Sequence, residues 1–359
     1  MPERGRQQDA PPHPKVTVNI DPTSLTRLVV RTPNWLGDAV LALPAIAAVR
    51  RAFAHAALAI AAPPSLAPVF EEETSAAQDE ILPVDSKGAA ALLRAGRFDA
   101  ILLLPNSFRS AWVARRAHIT ERWGYAASWR GRLLTRPVRR PRQRHLHQAE
   151  YYRGLVRGLG IDVGDELPRV RPRPATLERA DAVLRDGAAG GPVVGFAPGA
   201  AYGHAKRWPP RRVAELVARL AKERDASCVL LGAADDRDAG RAIESALPHD
   251  VRLVNLIGRT DLRLLIGVLA RCHAFVANDS GAMHLAAAVG LPVTAIFGPT
   301  DERVTAPLGD HDVMLQQVFC RPCMLRDCPI DHRCMKGITV EAVFTAVARR
   351  LDAPEQGPR

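Results

Sequence analysis

The chain's 359 residues are 47% hydrophobic and 24% charged, enough to bury two cores of ordinary size, which excludes intrinsic disorder and a disulfide-stapled miniprotein. The longest uncharged apolar stretch, residues 56–70, falls short of the roughly 18 residues a bilayer span needs and is broken by Pro63, Pro64 and Pro68. The formal net charge is +11, and only five of the 49 basic residues are lysines; an excess of this sign favours nucleic acid, an anionic leaflet or a phosphorylated substrate.

Residues 1–24, polar and Pro-rich, read as a loose tail and not as a secretory leader, so a cytoplasmic protein with reduced thiols is expected. Residues 27–31 (RLVVR) predict a strand, 32–37 (TPNWLG) a loop, and 38–51 a helix that Pro44 kinks or restarts. A second strand is predicted at 98–104, then a loop at 105–107 and a helix over 108–117. Further on, strands at 193–197, 228–231, 251–254, 274–277 and 293–297 alternate with helices near 211–223, 235–246, 261–271 and 281–289. In the first of these helices Val213, Leu216, Val217 and Leu220 share one face. Such alternation predicts an α/β protein with parallel sheets, whose ligands bind beyond the carboxyl ends of the strands. The Pro-rich, charged residues 165–175 suit a connection between two Rossmann-like domains facing across a cleft. The expected division is a domain at 25–170, a linker at 171–190, a second domain at 191–338, and a terminal helix and tail at 339–359.

Residues 278–284 (NDSGAMH) follow a strand and open a helix, with Ser280 placed as N-cap and Gly281 allowing close approach. Free N–H groups there suit a phosphate, although an ordinary capped helix reads the same way. Residues 197–209 (APGAAYGHAKRWP) repeat the pattern with Gly199, Gly203, Lys206 and Arg207, either a diphosphate site or a basic surface turn; the order of a Walker motif is missing. Two such turns in one domain point to a nucleotide diphosphate. Asp38, opening a helix after Gly37, either complements the helix dipole or serves as a base facing the cleft.

Residues 129–147 hold Arg130, Arg132, Arg136, Arg139, Arg140, Arg142 and Arg144 with His145 and His147. The run is either a solvated face or a contact for a polyanion. No RNA or DNA module accompanies it, so nucleic acid is not expected as the partner. Cys320-x2-Cys323-x4-Cys328-x5-Cys334, with His332 near, is spaced either for a structural zinc or for reduced thiols in an irregular loop.

Together, residues 33–44 (PNWLGDAVLALP), 104–110 (LPNSFRS), 198–209 (PGAAYGHAKRWP), 278–284, 297–301 (FGPTD) and the Cys-rich CRPCMLRDCPIDHRCM resemble the family 9 glycosyltransferases, over about residues 27–345. The Asn-Trp before Leu-Gly-Asp, the Ala-Lys-Arg-Trp-Pro run and the cysteines favour the type II over the type I heptosyltransferases. The resemblance implies a GT-B fold, with an N-terminal acceptor domain, a C-terminal nucleotide-sugar domain and a last helix, about 340–351, crossing back. It implies inverting transfer of L-glycero-D-manno-heptose from ADP-L-glycero-beta-D-manno-heptose onto the first heptose of heptosyl-Kdo2-lipid A, with no cofactor or metal required, at the inner face of the membrane. Asp38 then matches the general base and Lys206 the lysine on the diphosphate. Gly199, Asp279, Ser280, Gly281 and His284 fall on the donor side, with Asp235 or Asp236 near the ribose. Asn34, Trp35, Asn106, Ser107 and Arg109 fall on the acceptor side, and Arg139, Arg140, Arg142 and Arg144 face the anionic glycolipid and leaflet. Another sugar transfer within the family, or a non-catalytic polyanion binder, would fit the same composition.

Overall fold

The computed structural model describes residues 22–353, except residue 86 and residues 186–190. Most of the expected tail thus lies outside the described residues, which begin with a 3-10 turn at Pro22–Ser24.

In chain order the first half comprises β1 (Arg27–Arg31), α1 (Leu36–Leu41), α2 (Leu43–Ala52), β2 (Ala57–Ala62), α3 (Ala67–Glu71), β3 (Glu73–Thr74) and β4 (Glu80–Pro83). It continues through α4 (Ala89–Ala95), β5 (Ala100–Leu103), α5 (Phe108–Arg116), β6 (Glu121–Tyr125), β7 (Arg136–Val138), α6 (Gln148–Gly158), β8 (Val170–Arg171) and α7 (Pro174–Leu184). The second half runs β9 (Val193–Ala197), α8 (Pro210–Arg224), β10 (Ser227–Leu230), α9 (Arg237–Glu244), β11 (Leu253–Asn255), α10 (Leu262–Arg271), β12 (Ala274–Asn278) and α11 (Gly281–Val289). It closes with β13 (Val293–Phe297), α12 (Glu302–Thr305), β14 (His311–Leu315), α13 (Arg333–Lys336) and α14 (Val340–Leu351).

Two six-stranded, wholly parallel sheets result, in the orders β4-β2-β1-β5-β6-β7 and β11-β10-β9-β12-β13-β14. Helices cover both faces, so the central strands are unbroken apolar runs: β5, β9, β12 and β13 are buried at every position. The helix expected from Asp38 to residue 51 is interrupted at Ala42, because Pro44, in the first turn of α2, cannot donate a ladder hydrogen bond.

Two expectations are corrected. The segment read as a linker contains β8, paired antiparallel with β3, and α7, which packs on α10. The buried Glu72 carboxylate holds the start of α7, accepting from Arg173 N at 2.6 Å and Thr176 Oγ1 at 2.5 Å. The terminal helix α14 forms, but its main packing lies within the second half. Val343, Phe344 and Val347 share a core with α8 and the second sheet, and the Arg219 guanidinium lies 3.8 Å from the Phe344 ring centroid. The larger core crosses between the halves, running from Val30 and Leu102 through Val40 to Met283 and Phe275.

Candidate active site

Because both sheets are parallel, the loops after their strands leave from the carboxyl edges, and α1 and α11 meet there. A Cβ on Gly37 would stand 2.7 Å from His284 Cδ2, so only glycine lets the first turn of α1 rest on that ring. Asp38 follows at once, half-buried. Burial pushes its carboxyl above the usual carboxylate range, while hydrogen bonds from the Gln148 and Tyr152 side chains pull it back down. Both donors stand one turn apart on α6, and Gln148 Nε2 also donates to Tyr152 Oη at 3.0 Å. The carboxylate is therefore oriented and partly desolvated, as a base has to be.

Across from it, Lys206 Nζ lies 2.7 Å from Asp279 Oδ2, with both side chains nearly buried. The Thr300 hydroxyl donates to the same oxygen at 2.7 Å, and the Tyr202 ring centroid is 4.6 Å from the ammonium. Asn278 ties the two turns together: its amide donates to Pro198 O at 2.7 Å, and its oxygen accepts from Trp208 N at 3.2 Å. Ser280 Oγ and His284 Nδ1, both in the opening turn of α11, are buried with no protein partner. Burial, reinforced by His147 and Lys206 and opposed by Asp279, pushes the His284 imidazole down to about 4, so the ring is neutral near pH 7. The opening turn of α11, the Lys206 ammonium and two buried polar atoms without a protein partner therefore lie in one neighbourhood, a setting suited to an anion.

The other expected donor residues divide. A Cβ on Gly199 would collide with the Asp236 carboxylate, which also pairs with Arg207 at 2.9 Å and accepts from Ala233 N at 3.2 Å. Asp236 thus braces the two loops from beneath, whereas Asp235 is exposed on the same turn. In the first half, a cavity of about 330 Å³ is lined by Arg31, Asn34, Ser107, Arg109, Ser110 and Val113 among others. Arg31 donates to Asn34 Oδ1 at 2.9 Å, and Trp35, next in the chain, is 68% exposed. Asn106 turns inward, donating to Tyr151 Oη at 2.7 Å, and Ser107 caps α5.

The basic run is not one surface. Arg130 is fully buried, and its guanidinium donates to Tyr125 O at 2.9 Å, to Ser110 Oγ at 3.1 Å and to Pro105 O; burial lowers its pKa to about 10. Arg136 pairs with Glu121 at 2.7 Å. Arg139, Arg140, Arg142 and Arg144 are exposed. The end of the run spans the cleft: His145 Nδ1 lies 2.7 Å from Asp301 Oδ2, and His147 Nε2 lies 2.9 Å from Ala306 O.

The four clustered cysteines are free thiols. Backbone N–H groups of Ile330, His332 and Asp331 lower the Cys328 thiol. No group of three or more His, Cys, Asp or Glu side chains among the described residues is placed to hold a metal. Sequence reasoning missed Gln148 and Tyr152; it placed Thr300 in a motif and His145 and His147 in the basic run without foreseeing their contacts. Only the i, i+4 spacing of Gln148 and Tyr152 was there to be read.

Two Rossmann-like halves opposed at their strand carboxyl edges, with a carboxylate on one side and a lysine and helix start on the other, define a glycosyltransferase of the GT-B fold. The chain belongs to glycosyltransferase family 9 (heptosyltransferase), whose model matches residues 89–333. It is 30% identical over 316 residues to the lipooligosaccharide heptosyltransferase 2 of Haemophilus influenzae, covering 81% of this chain and 88% of that protein. It is 31% identical over 299 residues to the lipopolysaccharide heptosyltransferase 2 of Escherichia coli, covering 79% and 85%. The solved structure of the E. coli ADP-heptose lipopolysaccharide heptosyltransferase II superposes with a TM-score of 0.79 at 28% identity, over 91% of this chain and 98% of that one.

Proposed function

We propose that the protein transfers L-glycero-D-manno-heptose from ADP-L-glycero-beta-D-manno-heptose to the first heptose of heptosyl-Kdo2-lipid A, with inversion and without a metal. The contact of Gly37 with His284 supports this reading, since it packs the turn that carries Asp38 against the start of α11, next to the Asp279 that pairs with Lys206. Asp38 removes the proton from the acceptor hydroxyl, whose oxygen attacks the anomeric carbon on the face opposite the leaving ADP. As that bond breaks, negative charge gathers on the diphosphate and positive character on the sugar ring. Lys206 and the N–H groups at Ser280 and Gly281 receive the developing charge, which supplies the stabilisation a metal gives elsewhere. Asp279, Ser280 and His284 hold sugar and phosphate, Gly199 makes room for the Asp236 brace beneath the diphosphate, and the exposed Asp235 lies toward the ribose.

The acceptor enters beside Trp35, with Asn34, Ser107 and Arg109 at the cavity and Asn106 supporting them from within. Arg139, Arg140, Arg142 and Arg144 meet the phosphates and carboxylates of the glycolipid and the anionic inner leaflet. No helix among the described residues is long and apolar enough to cross a membrane, so association with that leaflet is peripheral in this reading. The test is a panel of ADP-, UDP- and GDP-linked sugars incubated with heptosylated Kdo2-lipid A. Turnover with ADP-heptose alone supports the assignment, and turnover with another donor in preference would replace it.

A further inference from the structure

The loops after β1, β5, β6 and β7 share one edge of the first sheet, and three outward aromatic side chains beside it have no role in the chemistry above. Phe108 and Trp112 lie one turn apart on α5, stacked with centroids 6.3 Å apart, while Ala111 and Ala114 turn inward to the core. Trp129 is 96% exposed, and both it and Ser128 have left-handed backbones at φ 62° and 49°. Such backbones are unfavourable for side-chain-bearing residues, so the tight turn has to be held. The buried Arg130 holds it, bonding to the Tyr125 and Pro105 carbonyls and to Ser110 Oγ on α5, so the Trp129 turn and α5 form one rigid unit. Arg115 and Arg116 in the last turn of α5 and Arg132, three residues after Trp129, are exposed and form no ion pair with a carboxylate among the described residues, and the arginines at 139, 140, 142 and 144 are exposed further along the chain.

We infer that the outer face of α5 and the Trp129 turn dock into the headgroup layer of an anionic phospholipid bilayer. Rigid aromatic rings flanked by guanidinium groups match that layer, where rings sit at the headgroup level and arginines meet lipid phosphates. A protein partner would have to supply acidic groups and a shaped apolar pocket together, whereas an anionic bilayer offers both chemistries at every point. The opposite side of α5, through Ser107, Ser110 and Val113, lines the 330 Å³ cavity, so docking would set the cavity mouth beside the lipid headgroups. The inference deepens the proposed function, on which its biological meaning rests. Its test contains no sugar nucleotide, so the two can fail separately.

The full chain is mixed with vesicles of phosphatidylglycerol and phosphatidylcholine, or of phosphatidylcholine alone, and binding is read by flotation and by quenching from brominated lipid. The wild type should bind the anionic vesicles, lose affinity with salt, and show quenched tryptophan emission. Trp112→Phe together with Trp129→Phe should lower the quenching, because Trp123 and Trp208 are buried and Trp35 is then the one exposed tryptophan left. The triple variant Phe108→Ser, Trp112→Ser, Trp129→Ser should bind about tenfold or more weakly, with unchanged thermal unfolding certifying an intact fold. Vesicle binding by the triple variant equal to wild type, or binding without quenching, would overturn the inference in favour of charge alone. Self-association in sedimentation that the triple variant abolishes, without vesicle binding, would overturn it in favour of a second copy of the chain.

Discussion

Lys206 and Asp279, 73 residues apart in sequence, form a 2.7 Å ion pair at the joint between the two glycine-containing turns of the second half. The lysine proposed for the diphosphate is thereby aimed by a carboxylate that is itself held by Thr300. Lys206→Met should weaken ADP binding by about 1–3 kcal/mol and lower kcat, since a charge-assisted contact is lost. It should also destabilise the fold by about 3–5 kcal/mol by leaving Asp279 buried and unpaired, and adding Asp279→Asn should restore part of that loss. Calorimetric ADP titration and urea unfolding of both variants check this; a single variant no less stable than the double would contradict it.

Asp38→Asn should lower kcat by roughly 10²-fold or more with ADP affinity intact. Tyr152→Phe removes a hydrogen bond that favours the charged carboxylate, so the Asp38 pKa rises further and the acid limb of the kcat profile moves to higher pH. A limb that stays in place, or moves down, would remove Tyr152 from this role.

His284 links stability to pH. Its folded value of about 4 lies below the usual 6.5, so on acidification the unfolded chain takes up the proton first. Its contribution is whole above about pH 6.5 and is lost as pH falls toward 4, by about 3 kcal/mol in all. Urea unfolding at about pH 7.5 and about pH 5 should therefore show a steeper loss for the wild type than for His284→Gln; parallel losses would contradict this.

Arg130 and its exposed neighbours should separate cleanly. Arg130→Met should cost about 3–5 kcal/mol, through the carbonyls and hydroxyl it leaves unsatisfied. Gln at 139, 140, 142 and 144 together should leave the unfolding midpoint nearly unchanged and raise the KM for the acceptor, with ADP affinity unaltered. An unchanged acceptor KM would mark these four arginines as a solvated face.

His147 joins the two sides of the cleft. Its Nδ1 accepts from Ala149 N at 3.2 Å, capping the helix that carries Gln148 and Tyr152, while its Nε2–H donates to Ala306 O at 2.9 Å. His147→Asn keeps a capping oxygen and loses the bridge, so kcat should fall while ADP affinity holds. Unchanged kcat would reduce the residue to a cap.

The central strands were legible because a strand buried on both faces is a continuous apolar run, as 193–197 and 293–297 are. Residues 57–62 (ALAIAA) form a strand buried at all but its first position, but alanine carries little strand preference and the following prolines masked it. Strand β7 contains Pro137 and is tolerated because it pairs only with β6, at the edge of the sheet. The turns around Lys206 and Ser280 could be read because strand, glycine and helix start adjoin in the chain. Arg130 could not: nothing in a run of seven arginines marks the one whose guanidinium will be enclosed by residues from β5, β6 and α5. The support of Asp38 by α6 likewise depends on a contact between segments more than a hundred residues apart.

The most direct measurement is the mass of the acceptor after incubation of heptosyl-Kdo2-lipid A with ADP-heptose and either wild type or Asp38→Asn, each checked for ADP binding. The wild type should give a product heavier by one heptose unit, retained under prolonged EDTA, and the variant almost none although it still binds ADP. An unmodified acceptor with the wild type, or equal product from both proteins, would contradict it.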